Sequence, residues 1–268
     1  MAISTRPDRP VGDLVREWRQ RRGVSQLRLA LEADLSARHL SFVETGRAQP
    51  SRDVVLRLAE QLNVPLRQRN VMLLAAGYAP AFGERSLDDP ELADVRRLIE
   101  QLLRAHEPYP AIAVDRRWNI VAANSAVAPM FSYIAPELAQ PPVNALRLAL
   151  HPQGLAPRIA NFAEWRAHLL ERLAHQIDAT ADAGLMDLDR ELRSYPVPPG
   201  GVPVASGNAR LFVPLRLTTP HGTLNLLSTT MVFGTPLDVT LSEIAIETLL
   251  PADSTTADAL RDLATSRL

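Results

Sequence analysis

A short segment in the N-terminal third of the chain carries side chains whose types and spacing suit contact with DNA. Its second half predicts a helix that begins after Ser36 and stops at Gly46, with Leu40 and Val43 on one apolar face. The opposite face presents Arg38, which can bind a guanine edge bidentately, beside small and aromatic side chains that can contact a thymine methyl group. We interpret this helix as one that reads DNA. The alternative is an ordinary helical hairpin whose arginines are only solvated.

A second pair of side chains, Arg147 and His151, could bind a carboxylate. They lie one helical turn apart in an otherwise apolar segment that predicts a helix, so a guanidinium and an imidazole could meet the same anion. In the alternative interpretation, Arg147 extends to solvent and His151 caps the helix before Pro152. Both interpretations fit the spacing.

Catalytic and metal-binding patterns are missing from the sequence. It contains no cysteine, which excludes disulfides, thiolate zinc sites and a cysteine nucleophile. It has no GxSxG, no glycine-rich phosphate loop and no HExxH motif, and its histidines have no carboxylate neighbours at metal-ligand spacing. We therefore predict that the protein is not an enzyme, binds no metal and needs no cofactor beyond a possible apolar small molecule.

Charge is distributed unevenly along the 268 residues. Residues 1–83 hold 13 arginines against eight carboxylates, a net charge of +5, whereas the remainder carries a net charge of −6. The positive end is the end that holds the predicted DNA-reading helix, which favours a nucleic-acid partner. No apolar run is long enough to span a bilayer, and the N-terminus lacks the pattern of a signal peptide, so we expect a cytoplasmic protein.

Five helices are predicted to position the DNA-reading face. Apolar residues at helical spacing place them at 11–22, 26–33, 37–45, 52–62 and 66–76. Together they predict an all-α domain over residues 1–78. The next segment, 79–91, is rich in proline, glycine and charge, and we interpret it as a linker.

The rest of the chain predicts an α+β domain over residues 92–250. A helix that starts near Pro90 is followed by two short strands, and three helices in the middle precede three further strands. The strands are expected at 111–114, 120–123, 209–219, 222–234 and 242–251, and the middle helices at 124–133, 143–152 and 161–181. This order predicts an antiparallel sheet covered by helices. A proline-rich loop is expected at 196–203, and residues 251–268 are expected to form a C-terminal tail that is either a helix or a loose end after Asp253.

The first domain resembles the Xre/Cro type of helix-turn-helix regulators, most specifically in the phrase HLSFVETGRAQPS. The residues that fit the family pattern are Gln26, Ala30, Leu35, Glu44, Thr45 and Gly46. The resemblance implies that Gln26 and Arg47 bind phosphates and that Ala37, Arg38 and Phe42 face bases. The candidate DNA-contacting residues are Gln26, Ser36, Ala37, Arg38, His39, Ser41, Phe42 and Arg47. Phe42 could instead belong to the small core. We expect a homodimer on double-stranded DNA, because one recognition helix covers only one half-site.

The second domain resembles the PAS-like ligand-binding domain of regulators of the MmyB type. The segments PYPAIAVDRRWNIVAAN and VNALRLALHP and the last strand pair carry this resemblance, which covers about residues 92–250. It implies a pocket between the sheet and the crossing helices, and an apolar ligand such as a fatty acid. The candidate ligand-binding residues are Trp118, Phe131, Leu146, Arg147, Leu150, His151, Trp165, Leu169, Leu226, Met231 and Phe233. Each apolar member could instead be plain core.

Three functional hypotheses follow from the sequence. The first is a transcription regulator whose C-terminal domain senses a small apolar ligand. The second is a DNA-binding protein whose C-terminal domain only dimerises or recruits a partner. The third, an enzyme regulated through DNA binding, requires convergent titratable groups in a cavity.

Overall fold

The computed structural model describes residues 9–198, 212–220 and 222–265. The chain forms two compact units, each assembled from several segments. The first comprises the chain up to Arg85 together with Asp178–Ala181 and Pro236–Ser242, and the second comprises Ser86–Ile177, Asp182–Thr235 and Glu243–Leu268. The domain limits expected at residues 78, 91 and 250 remain predictions, because neither unit is one continuous stretch of chain.

Five N-terminal helices form the body of the first unit. They are α1 Val11–Arg21, α2 Gln26–Glu32, α3 Ala37–Glu44, α4 Arg52–Gln61 and α5 Leu66–Ala75. Three of them start at serines whose hydroxyls accept a hydrogen bond from a backbone N–H of the first turn, namely Ser25, Ser36 and Ser51. Leucines from α2, α3, α4 and α5 fill one apolar core. The predicted five-helix domain is confirmed.

Helices α1 and α3 approach each other closely at Gly12. A Cβ atom at this position would lie 2.3 Å from the carbonyl oxygen of Val43, which is far inside van der Waals contact. Gly12 therefore allows the backbone of α1 to rest directly on the C-terminal turn of α3. The absence of a side chain at Gly12 therefore sets how closely α1 and α3 pack.

The second unit contains a five-stranded antiparallel sheet with helices on both faces. Its strands are β1 Ala111–Val114, β2 Ile120–Ala123, β3 Leu215–Thr219, β4 Gly222–Val232 and β5 Ala245–Pro251. The spatial order is β2-β1-β5-β4-β3, and every neighbouring pair is antiparallel. The further helices of the chain are α6 Ala93–Ala105, α7 Ala128–Phe131, α8 Ala145–Leu150, α9 Phe162–Thr180, α10 Ala183–Ser194, α11 Val239–Ser242 and α12 Ser254–Thr265. The predicted α+β fold class, an antiparallel sheet covered by helices, is confirmed.

The two faces of the sheet bury different residues because strand side chains alternate. Ile246 of β5 packs with Ala111 and Ala113 of β1 against α6. On the opposite face, Leu226 of β4 joins the larger core that contains α8 and α9. Glu247 is adjacent to Ile246, so its carboxylate points to the face that α9 covers.

Two segments differ from the sequence prediction. Helix α10 was not predicted, although Leu185, Leu188 and Leu192 are buried at helical spacing and Asp182 caps its start. The C-terminal segment holds α12, which is the helical one of the two alternatives expected after Asp253, and its Leu260 is buried in the larger core. The strand expected at 209–219 begins at Leu215, and residues 209–211 lie outside the described residues. Most of the loop expected at 196–203 also lies outside them.

Candidate functional site

Helix α3 exposes its polar face to solvent because its apolar face packs into the core of the first unit. Leu40 and Val43 are fully buried, whereas Ala37, Arg38 and Arg47 are exposed. Ser41, His39 and Phe42 are half-buried, and Phe42 is not part of the buried core. The Arg38 guanidinium lies over the Phe42 ring, with Cζ 5.3 Å from the ring centroid. This cation–π contact pre-orients the side chain that is best suited to a guanine edge.

The C-terminal end of α3 is held by a buried charge network around Glu44. The carboxylate accepts hydrogen bonds from Arg19 Nε (2.6 Å) and Nη2 (2.9 Å) and from Gln26 Nε2 (2.9 Å). Burial raises the pKa of Glu44, but the hydrogen bonds from Arg19 and Gln26 outweigh that effect and hold the pKa below its ordinary value. The network ties α1, α2 and α3 together as one rigid group.

Two of the candidate DNA-contacting residues have structural roles of their own. The Gln26 amide is bound to Glu44, and the Ser36 hydroxyl accepts a hydrogen bond from the backbone N–H of His39 at 3.1 Å. Phosphate contact by Gln26 and DNA contact by the rest of the set remain predictions.

An apolar cavity of about 130 Å³ lies between the sheet and the helices of the second unit. Helices α7, α8 and α9 and strands β1 and β5 contribute its walls. Five of the candidate ligand-binding residues line it: Trp118, Phe131, Leu146, Trp165 and Leu169. The pocket predicted between the sheet and the crossing helices therefore has a counterpart in the structure.

One end of the cavity is polar and is formed by Arg172 and Glu247. Arg172 donates to both carboxylate oxygens of Glu247, with Nη1–Oε2 at 3.2 Å and Nη2–Oε1 at 2.8 Å. Ser228 and Thr230 donate their hydroxyls to the same carboxylate. Glu247 is 7% exposed, so this is a largely buried ion pair whose charges are mutually compensated.

Trp165, whose side chain belongs to the cavity wall, has an unpaired indole nitrogen. Its Nε1 is buried and has no hydrogen-bond partner among the residues that the structure describes. Leaving such a group unpaired costs about 1–3 kcal/mol in protein interiors. The neighbouring His168 ring lies with its centroid 5.5 Å from that of Trp165. Burial, followed by the nearby charge of Arg172, lowers the pKa of His168 and favours the neutral imidazole.

Six of the candidate ligand-binding residues do not line the cavity. Arg147 forms a two-point ion pair with Glu191 of α10, with nitrogen–oxygen distances of 2.8 and 2.7 Å. His151 packs edge-on against the Tyr195 ring, with centroids 4.9 Å apart. The Tyr195 hydroxyl donates to Glu191, so these residues join α8 to α10. The carboxylate-binding role predicted for Arg147 and His151 is not supported by this geometry.

The other four candidate ligand-binding residues lie outside the cavity. Core packing and the alternation of side chains along a strand determine where they lie. Leu150 and Leu226 are fully buried core residues. Met231 is 40% exposed, because it lies an odd number of residues from Leu226 on β4 and therefore points to the opposite face. Phe233 follows the end of β4 and packs with the α6 cluster.

Sequence reasoning missed Arg172, Glu247 and Met130, all of which line the cavity. Two of them left a signal in the sequence. Arg172 lies seven residues after Trp165, on the apolar face of a long helix, and Glu247 interrupts an apolar strand. Two opposite charges at inward positions predict a buried ion pair, but only the folded chain shows that they meet.

No group of histidine and carboxylate side chains suited to a metal ion occurs among the described residues. In the same part of the chain, none of the helices combines the length and the apolar character needed to cross a membrane.

Two family models match the chain. A helix-turn-helix model matches residues 15–68, which include α2 and α3. The model of the MmyB-like transcription regulator ligand binding domain matches residues 95–263, more than half of the chain. The chain belongs to the MmyB-like transcription regulators. As an MmyB-like regulator it combines a DNA-binding helix-turn-helix with a ligand-binding domain, as the sequence predicted.

The remaining comparisons are weak. The structure of an RNA-binding Light-Oxygen-Voltage receptor matches with 15% sequence identity and a TM-score of 0.26 over 97% of this chain. The MmyB-like regulator spans 65% of that receptor's length. No curated protein matches the chain.

Proposed function

We propose that this MmyB-like regulator binds an apolar small molecule in the cavity of its second unit and that the bound molecule changes the affinity of the helix-turn-helix for operator DNA. The observation that supports this is the cavity itself: an apolar space of about 130 Å³ with a compensated ion pair at one end. A close-packed core would leave no such space.

The volume of the cavity limits the part of a ligand that it can hold. An engineered cavity of roughly 150 Å³ lined by apolar side chains binds benzene. At about 130 Å³, this cavity accommodates a small ring or a short stretch of alkyl chain. A longer molecule must therefore extend beyond it.

A fatty acid is the ligand class that the family resemblance implies. Among the described lining residues, the cationic partner for its carboxylate is Arg172, which already binds both oxygens of Glu247. A carboxylate in the cavity would have to take Arg172 from Glu247 and would leave that buried acid without its partner. Head-group chemistry is thus the first property of the ligand to test.

Signalling requires the ligand to favour one of two states of the regulator. We propose that the protein acts as a homodimer that presents two α3 helices to two half-sites, with Arg38 reading a base and Arg47 binding a phosphate. A ligand that binds both states equally would change nothing, so the response depends on its differential affinity.

The experiment begins with native mass spectrometry of the purified protein, followed by solvent extraction and identification of any small molecule released. Operator DNA selected from a random library is then titrated with and without that molecule. Ala149→Phe fills the cavity from α8, and Ala128→Phe is the matched control, because Ala128 is exposed and does not line the cavity.

We expect an apolar molecule to co-purify, Ala149→Phe to lose both the molecule and the DNA response, and Ala128→Phe to keep both. An empty protein that is indifferent to every apolar molecule added would contradict the proposal. The second domain would then serve dimerisation or partner recruitment.

A further inference from the structure

Helix α9 contributes residues to both compact units. Its last residues and the one that follows it, Asp178–Ala181, belong to the first unit, whereas the rest of the helix belongs to the second. Trp165, Leu169 and Arg172 of the same helix line the apolar cavity. With 19 residues, the helix is about 28 Å long, because each residue adds about 1.5 Å. One continuous element therefore forms part of the cavity wall and ends in the unit that holds the helix-turn-helix.

The C-terminal end of α9 is held by the guanidinium of Arg22, the residue that follows α1. Its Nη2 donates to the backbone carbonyl of Ala179 at 3.0 Å and to that of Asn63 at 3.1 Å, and its Nε donates to that of Leu62 at 2.9 Å. The last carbonyls of a helix have no partner within the helix, and a positive charge beside them is favourable. Arg22 therefore caps α4 and α9 at the same time.

The chain just after α9 is also fixed in the first unit. Ala181 packs against the apolar core of that unit. Its φ of 56° lies in the left-handed region, which residues other than glycine seldom adopt. Such a conformation persists only where the surrounding structure imposes it. The end of α9 is therefore held in one position and is not a loose connection.

Helix α1 connects Arg22 to the recognition helix α3. The backbone of α1 rests on the last turn of α3 at Gly12. Two arginines of α1 bind the last residue of α3, since Arg16 donates to the Glu44 carbonyl at 2.8 Å and Arg19 donates to the Glu44 carboxylate. Because packed groups of this kind move together, a shift of α1 has to move α3. A displacement of the end of α9 would therefore reach α3 through Arg22 and α1.

We propose that Arg22 is the positioning residue that couples the cavity to the DNA-reading face: an occupant of the cavity displaces α9, and the hydrogen bond from Arg22 to Ala179 transmits this displacement to α1 and α3. The inference rests on the proposed function and adds the route of its regulation. Coupling requires that the empty and the occupied cavity favour different positions of α9. An occupant larger than about 130 Å³ has to displace the side chains of α9 that line the cavity.

Replacing Arg22 with glutamine tests this route and preserves the cap of α4. The glutamine Nε2 takes the place of the arginine Nε along the side chain, so it can still donate to Leu62, but no atom replaces the Nη2 that reaches Ala179. Arg21→Gln is the matched control. Arg21 also lies over the Trp18 ring and, within the described chain, makes no hydrogen bond to α9. Both variants lose one positive charge, so a general electrostatic effect on DNA binding is the same in each.

The experiment uses lauric acid as the probe and the full chain throughout. Fluorescence anisotropy measures operator affinity with and without saturating lauric acid. We expect Arg22→Gln to reduce the effect of lauric acid on operator affinity at least about threefold, and Arg21→Gln to keep the wild-type effect. Lauric acid affinity of the DNA-free protein, measured by isothermal titration calorimetry, should be unchanged in both variants, because neither residue lines the cavity.

A reciprocal measurement separates coupling from a merely structural role. Operator DNA should change the affinity for lauric acid by the same factor by which lauric acid changes the affinity for operator DNA. In Arg22→Gln both factors should fall together. A variant that only loses stability would bind both molecules less well but would keep the wild-type factor.

Two results would overturn the inference and leave the proposed function standing: an undiminished effect of lauric acid in Arg22→Gln, or an equal reduction in Arg21→Gln. A wild-type protein whose operator affinity responds neither to lauric acid nor to a molecule that co-purifies would overturn the proposed function, and the inference with it.

Discussion

Replacing Glu44 with alanine removes the carboxylate that joins α1, α2 and α3. Glu44 is 2% exposed and accepts three side-chain hydrogen bonds, two of them from Arg19. The Arg19 side chain is itself only 14% exposed, so the variant leaves a largely buried guanidinium without its counter-charge. Breaking a buried pair in this way costs about 3–5 kcal/mol. We expect the lower end, about 3 kcal/mol, because Arg19 keeps a hydrogen bond to the carbonyl of Val24.

Amide hydrogen exchange measures this loss of stability separately in each helix. A local destabilisation of about 3 kcal/mol corresponds to about 150-fold faster exchange in α1 and α3, because each 1.4 kcal/mol is a factor of ten. Amides of β1 and β5 in the second unit provide the internal reference and should not change. Arg19→Met combined with Glu44→Leu should recover part of the protection, because the uncompensated charge is gone.

The pH dependence gives an independent check on the same carboxylate. The folded pKa of Glu44 lies below its ordinary value of 4.5, so its ionised form stabilises the fold above that pH, and this stability is lost as the pH falls below it. Between pH 5 and pH 3, the first unit should therefore lose less thermal stability in Glu44→Gln than in the wild type. If Glu44→Ala speeds exchange in α1 and α3 by less than about threefold, the charge network does not hold the recognition helix.

Three further predictions concern the DNA face, the helix packing and the cavity. Arg38→Ala should lower discrimination at one operator base by about 1–3 kcal/mol. Arg47→Ala should lower the affinity for cognate and for random DNA by the same factor. Fluorescence anisotropy with both DNAs measures these affinities. Gly12→Ala should destabilise the first unit by about 1–3 kcal/mol in urea unfolding, because its methyl group meets the carbonyl of α3 at 2.3 Å. Glu247→Gln should raise lauric acid affinity about tenfold in calorimetry, because Arg172 becomes free to bind a carboxylate.

Each of these predictions has a contrary outcome. Equal loss on cognate and random DNA for Arg38→Ala would remove its base-reading role. Wild-type stability in Gly12→Ala would mean that α1 can shift away from α3 without cost. Unchanged lauric acid affinity in Glu247→Gln would show that Arg172 does not meet the head group.

Sequence reasoning worked best where structure depends on local signals. The serine caps of α2, α3 and α4, and the glycine with a φ of 71° after α3, act within one turn of where they appear in the sequence. The helices of the helix-turn-helix and the burial of Leu40 and Val43 could therefore be predicted from the sequence. The role of Gln26 was harder to predict, because its partner Glu44 lies 18 residues away.

The cavity was predicted less completely because its walls depend on pairings between distant segments. Leu150 and Trp165 look equally apolar in the sequence, yet only Trp165 lines the cavity. Arg147 was expected to meet a ligand, but it binds Glu191 on α10, a helix that was not predicted. Periodicity gives the face of a helix or strand, whereas the partner across that face is set by tertiary packing.

The position of β5 in the sheet has a consequence for how the protein is made. It is the last strand in the described chain, yet it lies at the centre of the sheet and pairs with both β1 and β4. Until it is synthesised, the β1–β2 and β3–β4 hairpins have no strand between them and remain separate ribbons with open edges. The helix-turn-helix emerges from the ribosome long before the sheet can close, so the DNA-binding region of the nascent chain can fold before the ligand-binding domain is complete.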